Sequence, residues 1–263
     1  MPLISEARNA LSEQPLSVMG MPVTLEVVDA AATELLFDEV YNYFQYIDEK
    51  FSTYKDQSEI SRLNRGDLKL DEASEDMKLI FELAEQTRRE SNGYFDIQHN
   101  GIIDPSGIVK GWAIYDAAEI LHQKGFENFY VEAGGDVQVS GKNVQGKKWR
   151  VGIRNPFNID EIVKVLSVTD CGVATSGTYV RGQHIYNPKN EDETITDILS
   201  LTVIGPDVYE ADRFATAAFA MGRSGVDFIE YLPGFEGYMI DKDKQGTYTT
   251  GFARFVLNDS IHR

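Results

Sequence analysis

The stretch NFYVEAGGDVQVSG, Asn128 to Gly141, marks the point where the chain changes its periodicity. Upstream the apolar residues recur mainly at helical spacing. From this stretch onward they come in short β-rich segments between turn residues. Working backward, MPVTLEVV reads as one early strand. ATELLFDEVYNYFQYIDEKF reads as an amphipathic helix with Leu36, Val40, Phe44 and Ile47 on one stripe. EDMKLIFELAEQTRRESNG reads as a second helix, closed by basic residues and an Asn-Gly stop. FSTYKDQSEISRLNRG between them reads as a polar, turn-rich loop, and DPSGIVKGW as a loop leading into the helix AIYDAAEIL, which ends at HQKG. Working forward, KKWRVGIRNP, IVKVLSV, GVATSGTYV and LSLTVIG read as β segments. YEADRFATAAFAMG is the last predicted helix, before SGVDFIEYL, and EGYMID and FARFVL close the chain as strand-like segments. Helices early and strands in the middle predict an α+β fold, α/β-like in its order, with mixed β-sheets flanked by helices. No linker, repeat of fixed period or low-complexity tract divides the 263 residues, so one domain over 1–263 is expected, with 1–17 as a poorly ordered or peripheral segment.

Lys plus Arg number 25 against 42 Asp plus Glu, a formal net charge of −17. No long basic stripe is present to neutralise a nucleic-acid backbone, so nucleic acid is not expected as a partner. An acidic protein that handles an anionic ligand has to place its few cations locally or recruit a metal. The single cysteine, Cys171, reads as a small buried residue. The N-terminal residues lack a continuous apolar segment and no run is long enough to span a membrane, which gives a cytoplasmic expectation.

Three motifs carry candidate chemistry. GKNVQGKK, Gly141 to Lys148, matches a phosphate-binding loop except at its last position. Lys148 stands where a metal-ligating hydroxyl is needed and no helix follows, so a hairpin turn is the better reading. On YEADRFATAAFAMG, Asp212 and Thr216 are four residues apart and share one helix face, offering a carboxylate and a hydroxyl. The rest of that helix is apolar almost all round, so Asp212 needs a partner: a loop amide, a buried arginine, or a hard cation such as Mg²⁺. GVATSGTYVRGQHIYNP sets His184 beside a hydroxyl-rich turn, where it could act as a general base; His99 in DIQHNG is a weaker candidate. His122 lies near a helix C-terminus and needs no catalytic role.

Taken together these segments resemble the ApbE family of FAD:protein FMN transferases, which move FMN from FAD onto a threonine or serine of a target protein. The matching pieces run in the family's order: VMGMPVTLEV, FSTYKDQSEISRLN, GYFDI, DPSGIVKGWAIYDAA, VEAGGDVQVSG, VATSGTYVR followed by HIYNP, and LTVIGPDVYEADRFATAAFAMG. The resemblance implies FAD contacts from Met19, Tyr54, Tyr94, Phe95, Asp96, Asp104, Lys110 and Tyr186. It implies a Mg²⁺ site drawing on Asp212 and Thr216 with backbone oxygen from Gly107 and Ala215, and a catalytic His184. The chain departs from the family at HIYNPKN, where Asn187 stands in place of the usual acid and no Thr-Gly follows. The partners implied are FAD and an acceptor flavoprotein carrying a Thr or Ser flavinylation site. Two other activities use the same residues: a Mg²⁺-dependent FAD pyrophosphatase giving FMN and AMP, and a non-catalytic FAD-binding protein.

Overall fold

The computed structural model describes residues 10–12, 17–18, 21–178, 185–190 and 194–257. In chain order it begins with strands β1 (Ala10–Ser12), β2 (Ser17–Val18) and β3 (Met21–Val27), followed by helices α1 (Glu34–Phe51), α2 (Glu59–Arg65) and α3 (Glu75–Glu90). A two-stranded ribbon, β4 (Gln98–His99) and β5 (Ile102–Ile103), leads into α4 (Ser106–Gln123). Then come β6 (Phe129–Ala133), β7 (Asp136–Ser140), β8 (Trp149–Asn155), β9 (Asn158–Val168), β10 (Cys171–Gly177) and β11 (Ile198–Gly205). Helices α5 (Val208–Ala220) and α6 (Gly225–Glu230) precede β12 (Glu236–Asp241) and β13 (Gly246–Tyr248).

The main sheet has nine strands in the order β1-β3-β6-β7-β10-β11-β12-β13, with β2 also on β3, and every described pairing is antiparallel. This is the α+β architecture read from the sequence, with antiparallel sheets in place of the mixed ones expected. Part of the N-terminal segment, Ala10–Ser12, pairs with β3 at one edge of the sheet. Successive residues of a strand point to opposite faces, and both faces are covered here. On one face Val23, Leu25, Phe129 and Val131 pack with α1, α3 and α4, while Leu201, Val203 and Met239 pack with α5 and α6. On the other face Val137, Val139, Val173, Ile204, Tyr238 and Ile240 meet the inner side of the β8–β9 hairpin through Trp149, Val151, Ile153, Leu166 and Val168. Among the described residues no helix is long and apolar enough to cross a membrane.

Several local expectations are corrected. The polar FSTYKDQSEISRLNRG contains α2, because the Ser58 hydroxyl accepts the Ser61 N–H at 3.1 Å as an N-cap and Gly66 closes the helix in the left-handed conformation. DPSGIVKGW is not a loop before a helix: α4 starts at Ser106, whose N–H donates to Asp104 Oδ1 at 3.0 Å. Its two glycines lower helix propensity by roughly 1 kcal/mol each, and burial outweighs that. GKNVQGKK is not a hairpin turn, since β7 pairs with β6 and β10 whereas β8 pairs with β9, so the segment links two sheets. Its shape comes from Asn143, whose Oδ1 accepts the N–H groups of Gln145 and Lys147. SGVDFIEYL holds the short helix α6, so α5 is not the last helix. FARFVL is a 3₁₀ turn over Phe252–Phe255 that ends in an isolated bridge from Val256 to Leu166. Cys171 is buried as read, and burial pushes its thiol up to about 12, which leaves it protonated and inert.

Candidate active site

The site forms where α4 and α5 touch. Gly107 and Gly111 lie one turn apart on α4, and Asp212 and Thr216 one turn apart on α5. A Cβ at Gly111 would stand 2.6 Å from Asp212 Cβ and 2.9 Å from the Val208 carbonyl, and one at Gly107 would stand 3.1 Å from Thr216 Cγ2. At Gly111 only glycine permits this approach, while at Gly107 an added Cβ would require Thr216 and Phe95 to shift. The approach brings Asp212 Oδ2 to 2.8 Å from the Gly111 N–H and Thr216 Oγ1 to 3.5 Å from the Gly107 carbonyl. In a regular helix the Gly111 N–H belongs to the Gly107 carbonyl, so Asp212 competes with that carbonyl for one donor and leaves the oxygen more open to another partner.

Asp212 is 2% exposed, and burial pushes its carboxyl above the ordinary carboxylate range, opposed by the Lys110 ammonium. The partner it needed is therefore a helix amide and a lysine. The neighbouring buried Arg213 serves Glu90 and Glu210 instead. Lys110 lies 3.3 Å from Asp212 Oδ1 and in closer contact with Asp136 Oδ2, so it bridges two buried carboxylates. Asp136 follows the Gly134–Gly135 turn between β6 and β7, where both glycines have positive φ, and its Oδ1 accepts the Thr175 N–H at 2.9 Å. The Ser176 hydroxyl is 3.4 Å from Thr216 Oγ1.

Around this floor opens a cavity of about 750 Å³, within the range of cofactor-sized sites. Of the residues singled out in the sequence, Tyr94, Phe95, Asp96, Asp104, Gly107, Lys110, Tyr186, Asp212 and Thr216 all line it. They come from four separate stretches of chain. Tyr186 stacks on His99 with ring centroids 3.8 Å apart, and its hydroxyl donates to the carbonyls of Asp96 and Gln98. The Lys189 ammonium lies 4.3 Å from the centre of the Tyr94 ring, so segment 185–190 is pinned to segment 94–99. Asn187 accepts the Lys189 N–H through Oδ1 at 3.0 Å.

Two of the singled-out residues are not brought there. Tyr54 is 93% exposed in the turn after α1 and does not line the cavity. Ala215, on α5, is fully buried in the core and does not line it either. Met19 and His184 lie outside the described residues. The sequence reading missed Asp136, Thr175, Ser176 and the β8–β9 wall with Arg154, Ile159 and Ile162. Asp136 had a local signal: an acid directly after a Gly-Gly turn inside an apolar strand.

The donor set on the α4–α5 stripe suits a hard cation: one carboxylate, one hydroxyl and one carbonyl, all oxygen. Among the described residues no group of three or more His, Cys, Asp or Glu converges. The aromatic rings of Tyr94, Phe95, Tyr130 and Tyr186 supply flat apolar surface for a ring ligand in the same cavity.

A family model described as the ApbE family matches residues 19–102 and 98–239. The FAD:protein FMN transferase of Haemophilus influenzae is 29% identical over 163 residues, covering 58% of this chain and 47% of that protein. The FAD:protein FMN transferase of Vibrio cholerae is 33% identical over 131 residues, covering 46% of this chain and 39% of its own length. The chain thus aligns with about half the length of the curated relatives it matches. Among solved structures, the flavin transferase ApbE from Vibrio cholerae superposes with a TM-score of 0.81 at 23% identity, covering 95% of this chain and 99% of that one. The ApbE protein from Thermotoga maritima gives 0.83 at 21% identity, covering 94% and 99%. At that identity the structures speak for the fold, while the family model spans the cavity-lining segments, and the chain belongs to the ApbE family.

Proposed function

We propose that this chain, acting as one domain, is a Mg²⁺-dependent transferase that moves FMN from FAD onto a Thr or Ser hydroxyl of an acceptor flavoprotein and releases AMP. The observation that carries the reading is the stripe on which Asp212, Thr216 and the Gly107 carbonyl face each other at the floor of a cofactor-sized cavity. The family membership and the names of the relatives support it.

In the reaction the acceptor oxygen bonds to the phosphorus on the FMN side of FAD. The bond from that phosphorus to the bridging oxygen breaks, and AMP leaves with that oxygen and its electron pair. The hydroxyl proton goes to a base, for which His184 is the candidate. Asp212, Thr216 and the Gly107 carbonyl would hold the cation, which when bound supplies positive charge to the phosphate oxygens. Lys110 adds an ammonium at the same floor, shared with Asp136 and Asp212. Tyr94, Phe95 and the stacked Tyr186–His99 pair offer faces for the flavin or adenine ring and keep water from it.

The test mixes the protein with FAD, Mg²⁺ and a candidate acceptor domain, and follows covalent flavin fluorescence on the acceptor together with AMP. Both should appear. AMP with only free FMN makes the protein an FAD pyrophosphatase, and bound FAD with neither product makes it a binder. Asp212→Asn keeps an acceptor for the Gly111 N–H, so the variant should fold while transfer falls by at least about a hundredfold. Transfer at the wild-type rate in that variant would remove Asp212 from the site.

A further inference from the structure

Beside the oxygen donors, the floor of the cavity carries the half-buried Lys110 and the buried Asp136, and the transfer reading gives Asp136 no task of its own. Lys110 holds Asp212 Oδ1 at 3.3 Å and Asp136 Oδ2 more closely. Asp212 Oδ2 is occupied by the Gly111 N–H, so Oδ1 is the oxygen open to a cation, and it is the one the lysine holds. Both carboxylates are almost fully buried, at 1% and 2% exposure, and each needs a positive neighbour. Asp136 is fixed from its other oxygen by the Thr175 N–H on β10 and by the turn before it. It can therefore keep the lysine without moving.

We propose that Lys110 and a divalent cation are alternative partners of Asp212 Oδ1, and that Asp136 is the positioning residue that retains the lysine when the cation arrives. The inference rests on the cation reading above. Without the cation, two carboxylates and one ammonium leave the floor with a net negative charge, in a chain that is already strongly acidic. With a divalent cation the sum becomes positive. The floor then repels a pyrophosphate before the cation binds and attracts it afterward, so the cation enters before the dinucleotide or together with it.

The test titrates Mg²⁺ or Mn²⁺ into FAD-free protein by calorimetry, in wild type, Asp136→Asn, Lys110→Met, Asp212→Asn and the Lys110→Met/Asp136→Asn double variant. Losing Asp136 leaves the lysine on Asp212 alone, so Asp136→Asn should weaken cation binding by at least about tenfold, and the double variant should recover it. Wild-type affinity in Asp136→Asn overturns the inference. So does a double variant that binds no better than Asp136→Asn, because the loss then does not pass through the lysine. If wild type binds neither cation, or Asp212→Asn binds as wild type does, the cation reading itself falls and this inference with it. Should the variants fail to fold, wild-type crystal structures with and without Mn²⁺ decide. The Lys110 Nζ to Asp212 Oδ1 separation should lengthen past about 4 Å while the Asp136 contact persists, and an unchanged separation with the cation bound overturns the inference.

Discussion

The two walls of the cavity are built in opposite ways. On one side α4 and α5 meet so closely that the spaces at Gly107 and Gly111 are filled by Thr216 and Asp212. On the other side the β8–β9 hairpin forms a separate two-stranded sheet whose outer residues Ile159 and Ile162 are each 50% exposed. An isolated ribbon of this kind is marginal on its own and depends on its inner face against the main sheet. Close packing transmits any added atom, whereas a half-exposed side chain can move aside. Lys110 and Asp212 sit on the wall that cannot give, while Arg154 lies on the hairpin wall.

Gly111→Ala should show the largest effect. The new methyl meets Asp212 Cβ and the Val208 carbonyl, and backbone cannot step aside as a side chain can. Alanine gains about 1 kcal/mol of helix propensity over glycine, yet overpacking should still leave a net loss of about 1–3 kcal/mol, read from urea unfolding. A net loss below about 0.5 kcal/mol would break the contrast between the walls. Gly107→Ala comes next. Its methyl meets Thr216 Cγ2 at 3.1 Å and Phe95 Cε2 at 3.3 Å, both side-chain atoms that can shift. Stability should stay within about 1 kcal/mol of wild type because propensity and crowding nearly cancel. Cation affinity should nevertheless fall as Thr216 is displaced, and unchanged affinity would remove Thr216 from the donor set. Ile162→Ser on the hairpin should be the smallest, under about 0.5 kcal/mol in the same unfolding measurement. A loss above about 1 kcal/mol would mean that the hairpin wall is held as firmly as the helix pair.

The same contrast explains what could be read from the chain. Leu36, Val40, Phe44 and Ile47 were legible as one buried stripe because their spacing alone defines a face, and all four are buried on α1. The pairing of Asp212 with Thr216 was legible for the same reason. Local rules failed in two ways. At EISRLNR a short helix rests on caps, Ser58 and Gly66, that a polar composition conceals. At DPSGIVKGW the glycines read as loop residues, while they mark a helix start pressed against another helix a hundred residues later. Tyr54, placed among the FAD contacts by resemblance, is out in solvent, since a motif shared with a family does not by itself fix a side chain's direction.

The sequence by itself determined the α+β order, the apolar faces, the strongly acidic charge balance and the two residues of α5 that face the cavity. Spacing and composition are enough for these, because each depends on neighbours along the chain. Only the tertiary structure decided that Asp212 finds its donors on α4 and that Lys110 is shared between two carboxylates. It alone brought Asp136 to the floor from the β6–β7 turn and closed the far wall with a hairpin from another sheet. These contacts join residues far apart in the chain, and their geometry depends on how closely two helices and two sheets pack.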